Sequence, residues 1–125
     1  MRGISFWFFL TATLYVTVGM VWGIQMSASG DHSMMPAHAH LNLIGWVTMA
    51  LFAIYYHLVP KAAEHVLAKA HFIIATAGLL IIVPGIVMAL NERSEVLAKV
   101  GSILTLLSML VFVFTVVRNR QSAAA

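Results

Sequence analysis

Apolar residues fill this chain in four long runs separated by short polar breaks. Inside the runs there is neither the alternation of a half-buried strand nor the charged stripe of a helix in water. The first run, residues 4–26, is interrupted only by Ser, Thr, Gly and Gln25. Ser29 to Pro36 breaks it with glycine and proline, and a second run over 37–59 stops at Pro60. Lys61 to Lys69 reads as a polar connection, followed by a third run over 70–90 with Pro84-Gly85 inside it, where a kink is expected. Asn91 to Ser94 makes the next turn, and the fourth run, 96–117, ends in Arg118, Arg120 and a small-residue tail expected to be disordered. Runs of about 20 apolar residues match the thickness of a bilayer as α-helices. Arg2 before the first run and Ser27-Ala28-Ser29 after it also suit a cleaved signal, but the run exceeds the ~7–15 residues of a signal core, and a helix is the better reading. The chain is therefore expected to be all-α, a single four-helix transmembrane domain over 1–125, with short connections that force antiparallel, up-down-up-down neighbours.

Composition narrows the function classes. With 62% hydrophobic and 9% charged residues and a mean hydropathy of +0.96, the chain has far fewer charges than the ~25% of a soluble domain. In 125 residues, four spans leave no room for a soluble catalytic or nucleic-acid module. The pI of 9.7 reflects Lys and Arg at span ends rather than a nucleic-acid surface. The absence of cysteine excludes disulfides, thiolate metal sites and thiol catalysis. Counting Lys and Arg places Arg2, Lys61, Lys69, Arg118 and Arg120 on one side and Arg93 and Lys99 on the other, so both termini are expected in the cytoplasm. The loop of residues 27–36 then faces the periplasm of a bacterial inner membrane.

Six histidines are the chemical content of so apolar a chain. His32 and His65 fall in connections and read as solvated; His57 and His71 fall at span ends and read as interfacial. His38 and His40 enter the first turn of the second span, where an ionisable group is costly and has a partner as a rule. Two residues apart on an α-helix are about 200° apart around its axis, so the two rings cannot hold one metal side by side. As ligands they serve two centres on opposite flanks. Imidazole is a common metal ligand and a normal axial ligand of haem iron. Asn42, one turn below His38, can orient a ring or touch a cofactor edge, and Gly45 gives room to a flat macrocycle or another helix. Phe6, Trp7, Phe8 and Phe9, with Trp22, Tyr55 and Tyr56, read as interfacial aromatic belts. His32, Met34, Met35 and His38 form a His/Met cluster suited to Cu(I). No phosphate loop, dinucleotide fingerprint, nucleophile triad or carboxylate pair occurs. A proton channel is expected to carry a buried acid, and no span has one.

The stretch His38-Ala39-His40-Leu41-Asn42-Leu43-Ile44-Gly45-Trp46 resembles the haem-copper oxidase superfamily, specifically subunit I of cytochrome c oxidases and nitric oxide reductases. In that family a His-x-His pair near the periplasmic face ligates a low-spin haem with one ring and a high-spin haem with the other. Subunit I has twelve helices in three four-helix arcs, and this chain is similar to one arc. The resemblance implies a homotrimer, with haem b between His38 of one protomer and His40 of its neighbour, and an electron-donor protein or quinol as partner. The family's copper or non-haem iron site has no counterpart, since the matching end of the third span reads Val87-Met88-Ala89-Leu90-Asn91. The expectation is a membrane b-type haem protein for electron transfer or diatomic gas sensing. A miniature oxygen or nitric oxide reductase and a copper-handling or structural protein are the alternatives.

Overall fold

A computed structural model describes residues 1–121; residues 122–125, which make up most of the tail, lie outside the described residues. Helix α1 covers Gly3–Ser29. The second span is composite: α2, Met35–His40, a π-helical segment, Leu41–Thr48, and α3, Met49–Leu58. A single turn, α4, Pro60–Ala63, leads to α5, Val66–Leu90, and the last span is α6, Val96–Arg118. Gly3–Ser29, Met35–Leu58, Val66–Leu90 and Val96–Arg118 are each long and apolar enough to cross a membrane. The chain has the form of an integral membrane protein, and no strand occurs among the described residues.

The connection expected over residues 61–69 is largely helical. Pro60 opens α4, where its missing N–H costs nothing, and α5 begins four residues earlier than the hydropathy suggests. His65 is the reason. In an extended conformation it caps α5, its Nδ1 accepting the Leu67 N–H at 3.1 Å. That bond puts the ring proton on Nε2, so the Arg118 guanidinium, 2.9 Å from Nε2, is a close neighbour and not a second hydrogen-bond partner. It is thus a half-exposed cap of α5 that also stands beside the end of α6. Replacing His65 by Ala is expected to cost about 1 kcal/mol in a detergent unfolding titration, the usual worth of a cap, and Asn, which can also accept from the helix, is expected to recover most of it.

Neighbouring helices run antiparallel, as their facing residues show. Gly78 of α5 meets Thr105 of α6, Ile82 meets Gly101, and Gly85 meets Ala98, so one number rises as the other falls. The same holds for α1 and the second span, where Gly23 faces His38, Gly19 faces Asn42, Tyr15 faces Gly45, and Phe8 packs on Phe52. Leu79 against Gly45 and His71 against Tyr56 join the second span to α5. Close approach on α5 and α6 depends on glycine. A methyl group at Gly101 would stand 2.6 Å from the Ile82 backbone, and one at Gly85 would strike the Leu97–Ala98 backbone.

Beside a buried apolar core, the chain exposes many large apolar side chains that a protein in water would cover. Ile24, Val66 and Ile103 are about 70% exposed, whereas Ser108, Thr115 and His71 are buried. In lipid the large apolar side chains face outward, and small or polar groups mediate helix contacts. On α6 the buried Thr115 Oγ1 donates to the Val111 carbonyl and the half-buried Thr105 Oγ1 to that of Gly101, both at 2.8 Å. Pro84 lies inside α5 without ending it. The expected belt is only partly realised: Phe6 and Trp7 are exposed, but Phe8 and Tyr56 are fully buried in an aromatic cluster with Phe52, Phe72 and Phe112.

Candidate functional site

The second span is launched by a compact turn. Asp31 Oδ1 accepts the Ser33 N–H at 2.9 Å, and the Met35 N–H bonds to the His32 carbonyl at 3.1 Å. Bonds from the Ser33 side chain and backbone hold the Asp31 carboxyl below its ordinary range, keeping the turn in its anionic form. Pro36, in the first turn of α2, then fixes the helical start. His38 and His40 follow within this rigid element.

His38 turns onto α1. Its Nε2 lies 2.9 Å from the Gly19 carbonyl, its ring is edge-on to Trp22, and Gly23 leaves the space it occupies. A carbonyl only accepts, so Nε2 carries the proton and the lone pair is on Nδ1. The Asn42 amide, 3.3 Å from the same Nε2, then meets it through oxygen rather than nitrogen, because two donors do not bond. Asn42 accordingly orients the His38 ring, one of the two roles its position suggested. The room at Gly45 is taken by protein: a side chain there would run into Tyr15 and Leu79, so this glycine serves helix packing.

His40 faces the opposite flank. Its Nδ1 is 2.7 Å from the Pro36 carbonyl and must donate to it, which fixes the ring and leaves Nε2 with its lone pair free in the neutral imidazole. This is the arrangement in which a histidine is held ready for a metal. The ring lies on a groove of about 370 Å³, walled by Ile44, Thr48, Met49 and Phe52 of the second span, by α5 at Ala75 and Ile82, and by α6 from Ser102 to Met109. The volume falls within the ~300–1,000 Å³ typical of cofactor pockets. It is mainly apolar, with the hydroxyls of Thr48, Ser102, Thr105 and Ser108 along its walls. His38 and His40 are thus on opposite flanks, as their spacing requires.

The π-helical segment shapes this groove. Over the twelve residues from His40 to Phe52, a regular α-helix would rotate about 120° away from alignment. The wider turns, spanned by the Thr48 hydroxyl bonding to the Leu43 carbonyl five residues back, return Phe52 to the wall below His40. The contribution of α6 was also not anticipated. Its sequence sign is the run of small and polar residues at Gly101, Thr105, Ser108 and Thr115, spaced by three, four or seven, in an otherwise bulky helix.

The other histidines divide differently from the expectation. His71 is not interfacial but completely buried, its Nδ1 2.9 Å from the Tyr56 hydroxyl, because α5 starts early and carries it into the aromatic cluster. His57 and His32 are exposed, His32 resting its Nδ1 against the Gly30 carbonyl at 3.2 Å. In the suggested copper cluster, His32 and His38 are turned onto different carbonyls and Met35 is 54% exposed. No three His, Asp or Glu side chains among the described residues converge in a way that could hold a metal ion. No family model, curated protein or solved structure matches this chain.

Proposed function

We propose that the chain is a membrane b-type haem protein, related to subunit I of the haem-copper oxidases, that binds haem between protomers for electron transfer or diatomic gas sensing. The observation that supports this best is His40, which lines an apolar groove and has one ring nitrogen locked to the Pro36 carbonyl, leaving the lone pair on the other. The donor set suits the group: neutral imidazole is a normal axial ligand of haem iron, and an apolar, ligand-sized cleft suits a macrocycle. Haem would supply one-electron chemistry at this point. His40 would be the ready ligand, and His38 of a neighbouring chain the second, released from its bond to Gly19.

Because the two rings lie on opposite flanks of one span, one chain cannot bring both to one iron. The reading therefore includes a closed homo-oligomer, a trimer by analogy with the three arcs, with lipid around it and a donor protein or quinol as redox partner. With both termini cytoplasmic, His38 and His40 sit toward the periplasmic side of a bacterial inner membrane. Dioxygen or nitric oxide reduction is less favoured, since the described residues bring no further ligands together for a second metal. The test is the reduced-minus-oxidised spectrum and the mass of the purified protein after haem-supplemented expression. A Soret band in a species of three chains is expected; stoichiometric copper without haem would transfer support to the copper-handling reading. His38→Ala is expected to weaken haem retention strongly, and His57→Ala to leave it unchanged.

A further inference from the structure

A small cavity where α4 and α5 meet the end of α6 lies apart from the His40 groove. It measures about 50 Å³ and is walled by Lys61 of α4, by His65 and Leu67 at the start of α5, and by Thr115, Arg118 and Asn119. One water molecule needs about 10–15 Å³ of such space, so the cavity has room for a group several times that size. Lys61 and Arg118 are exposed, whereas Thr115 and Asn119 are buried.

Hydrogen bonding inside the cavity is incomplete. His65 Nδ1 accepts the Leu67 N–H, so Nε2 carries the ring proton, and 2.9 Å away stands the Arg118 guanidinium, which has donors only. Two donors face each other at hydrogen-bond distance with no acceptor between them. Lys61 brings a further cationic donor to the same space. No carboxylate lines it: Glu64, next to His65 in the chain, lines a separate crevice with Arg2 and His57, and the one ion pair among the described residues joins Lys99 to Glu95 at the start of α6. The first turn of α5 also carries no acid, so the positive end of that helix is not offset there. Cationic donors converging from three elements without an acid call for an anion from outside the chain.

We propose that Lys61, His65 and Arg118 hold the phosphate group of an anionic phospholipid, of the phosphatidylglycerol type. Its oxygens accept the His65 Nε2–H and an Arg118 N–H, so that a contact between two donors becomes two charge-assisted hydrogen bonds, and Lys61 adds a second positive charge. His65 serves both ends of its ring at once, capping α5 through Nδ1 and holding the headgroup through Nε2. The lipid source follows from the surroundings: Val66 and Val117, beside His65 and Arg118 in the chain, are 72% and 55% exposed, a surface suited to acyl chains. A zwitterionic headgroup is disfavoured, because its ammonium would come against Lys61 and Arg118 with no carboxylate in the cavity to receive it.

The test is native mass spectrometry of the full chain in mild detergent, titrated in turn with phosphatidylglycerol, phosphatidylcholine and inorganic phosphate. Phosphatidylglycerol is expected to be retained on the order of 10-fold more than phosphatidylcholine, since each Lys or Arg near an anionic headgroup contributes about fivefold. Lys61→Gln and Arg118→Gln are each expected to lower that preference about fivefold. His65→Asn, whose shorter side chain keeps the α5 cap but does not reach as far as Nε2, is expected to lower it while stability stays near wild type, which a purely structural histidine would not do. Arg120→Gln, exposed and outside the cavity, is expected to leave it unchanged. Equal retention of the two lipids overturns the inference, as does an equal loss in Arg120→Gln, the mark of diffuse surface charge. Inorganic phosphate retained without a phosphatidylglycerol preference overturns the lipid source. Haem enters none of these measurements, so their failure is distinct from failure of the proposed function.

Discussion

Replacing His40 by alanine is expected to abolish the Soret band, while the protein still inserts and keeps its helical content. The side chain makes no interhelical hydrogen bond, so its loss removes a ligand and little else. Its Nδ1 donates to the Pro36 carbonyl of its own turn, so no entropy is spent in orienting the ring when the iron arrives. Loss of an outer partner of a metal-bound histidine typically costs about 10–100-fold in affinity, and loss of the ligand itself should exceed that. Added imidazole is expected to restore part of the band, because the groove remains open after truncation. The corresponding His38→Ala variant should be less clean, since it also removes the donor to Gly19 and the ring that fills the space at Gly23. Haem retained at wild-type levels in His40→Ala would sink the proposed site.

Gly101→Leu is expected to have the largest effect on the fold. The position faces the backbone of Ile82, whose N, Cα and Cβ atoms would all lie 2.6 Å from the new Cβ, and backbone cannot turn aside as a side-chain tip can. Even modest overpacking costs about 1–3 kcal/mol, and a leucine here must separate α5 from α6 where their backbones approach closely. Stability in a detergent unfolding titration should fall by at least that amount, whereas Ile103→Ala, on the exposed face, should be close to neutral. Because α6 forms one wall of the groove, haem retention should fall with it although both histidines are intact. Wild-type stability in Gly101→Leu would mean that the two helices do not meet at this glycine.

The helices were legible because a bilayer imposes a simple condition on the chain: about 20 apolar residues with every backbone polar group satisfied internally. Residues 4–26 and 96–117 lie within α1 and α6, with their ends displaced by three residues or fewer. The start of α5 was misplaced because hydropathy does not register a cap, and His65 acts through one hydrogen bond rather than through polarity. His71 was misread for the same reason: once α5 starts at Val66, the residue belongs to the second turn and falls inside the aromatic cluster. The π-helical turns are a backbone feature with no periodic side-chain signature, and they decide which residues stand below His40.

By itself the sequence determined four apolar spans and the placement of two imidazoles on opposite flanks of the second. Both follow from the fixed rise and rotation of a helix, which need no knowledge of its neighbours. Only the tertiary structure distinguished the two rings. His38 is bonded to the Gly19 carbonyl of α1, whereas His40 is bonded only within its own turn and lines a groove. It also showed that Gly45 serves packing and that His71 is buried against Tyr56, because burial and hydrogen-bond partners are properties of residues brought together from distant parts of the chain.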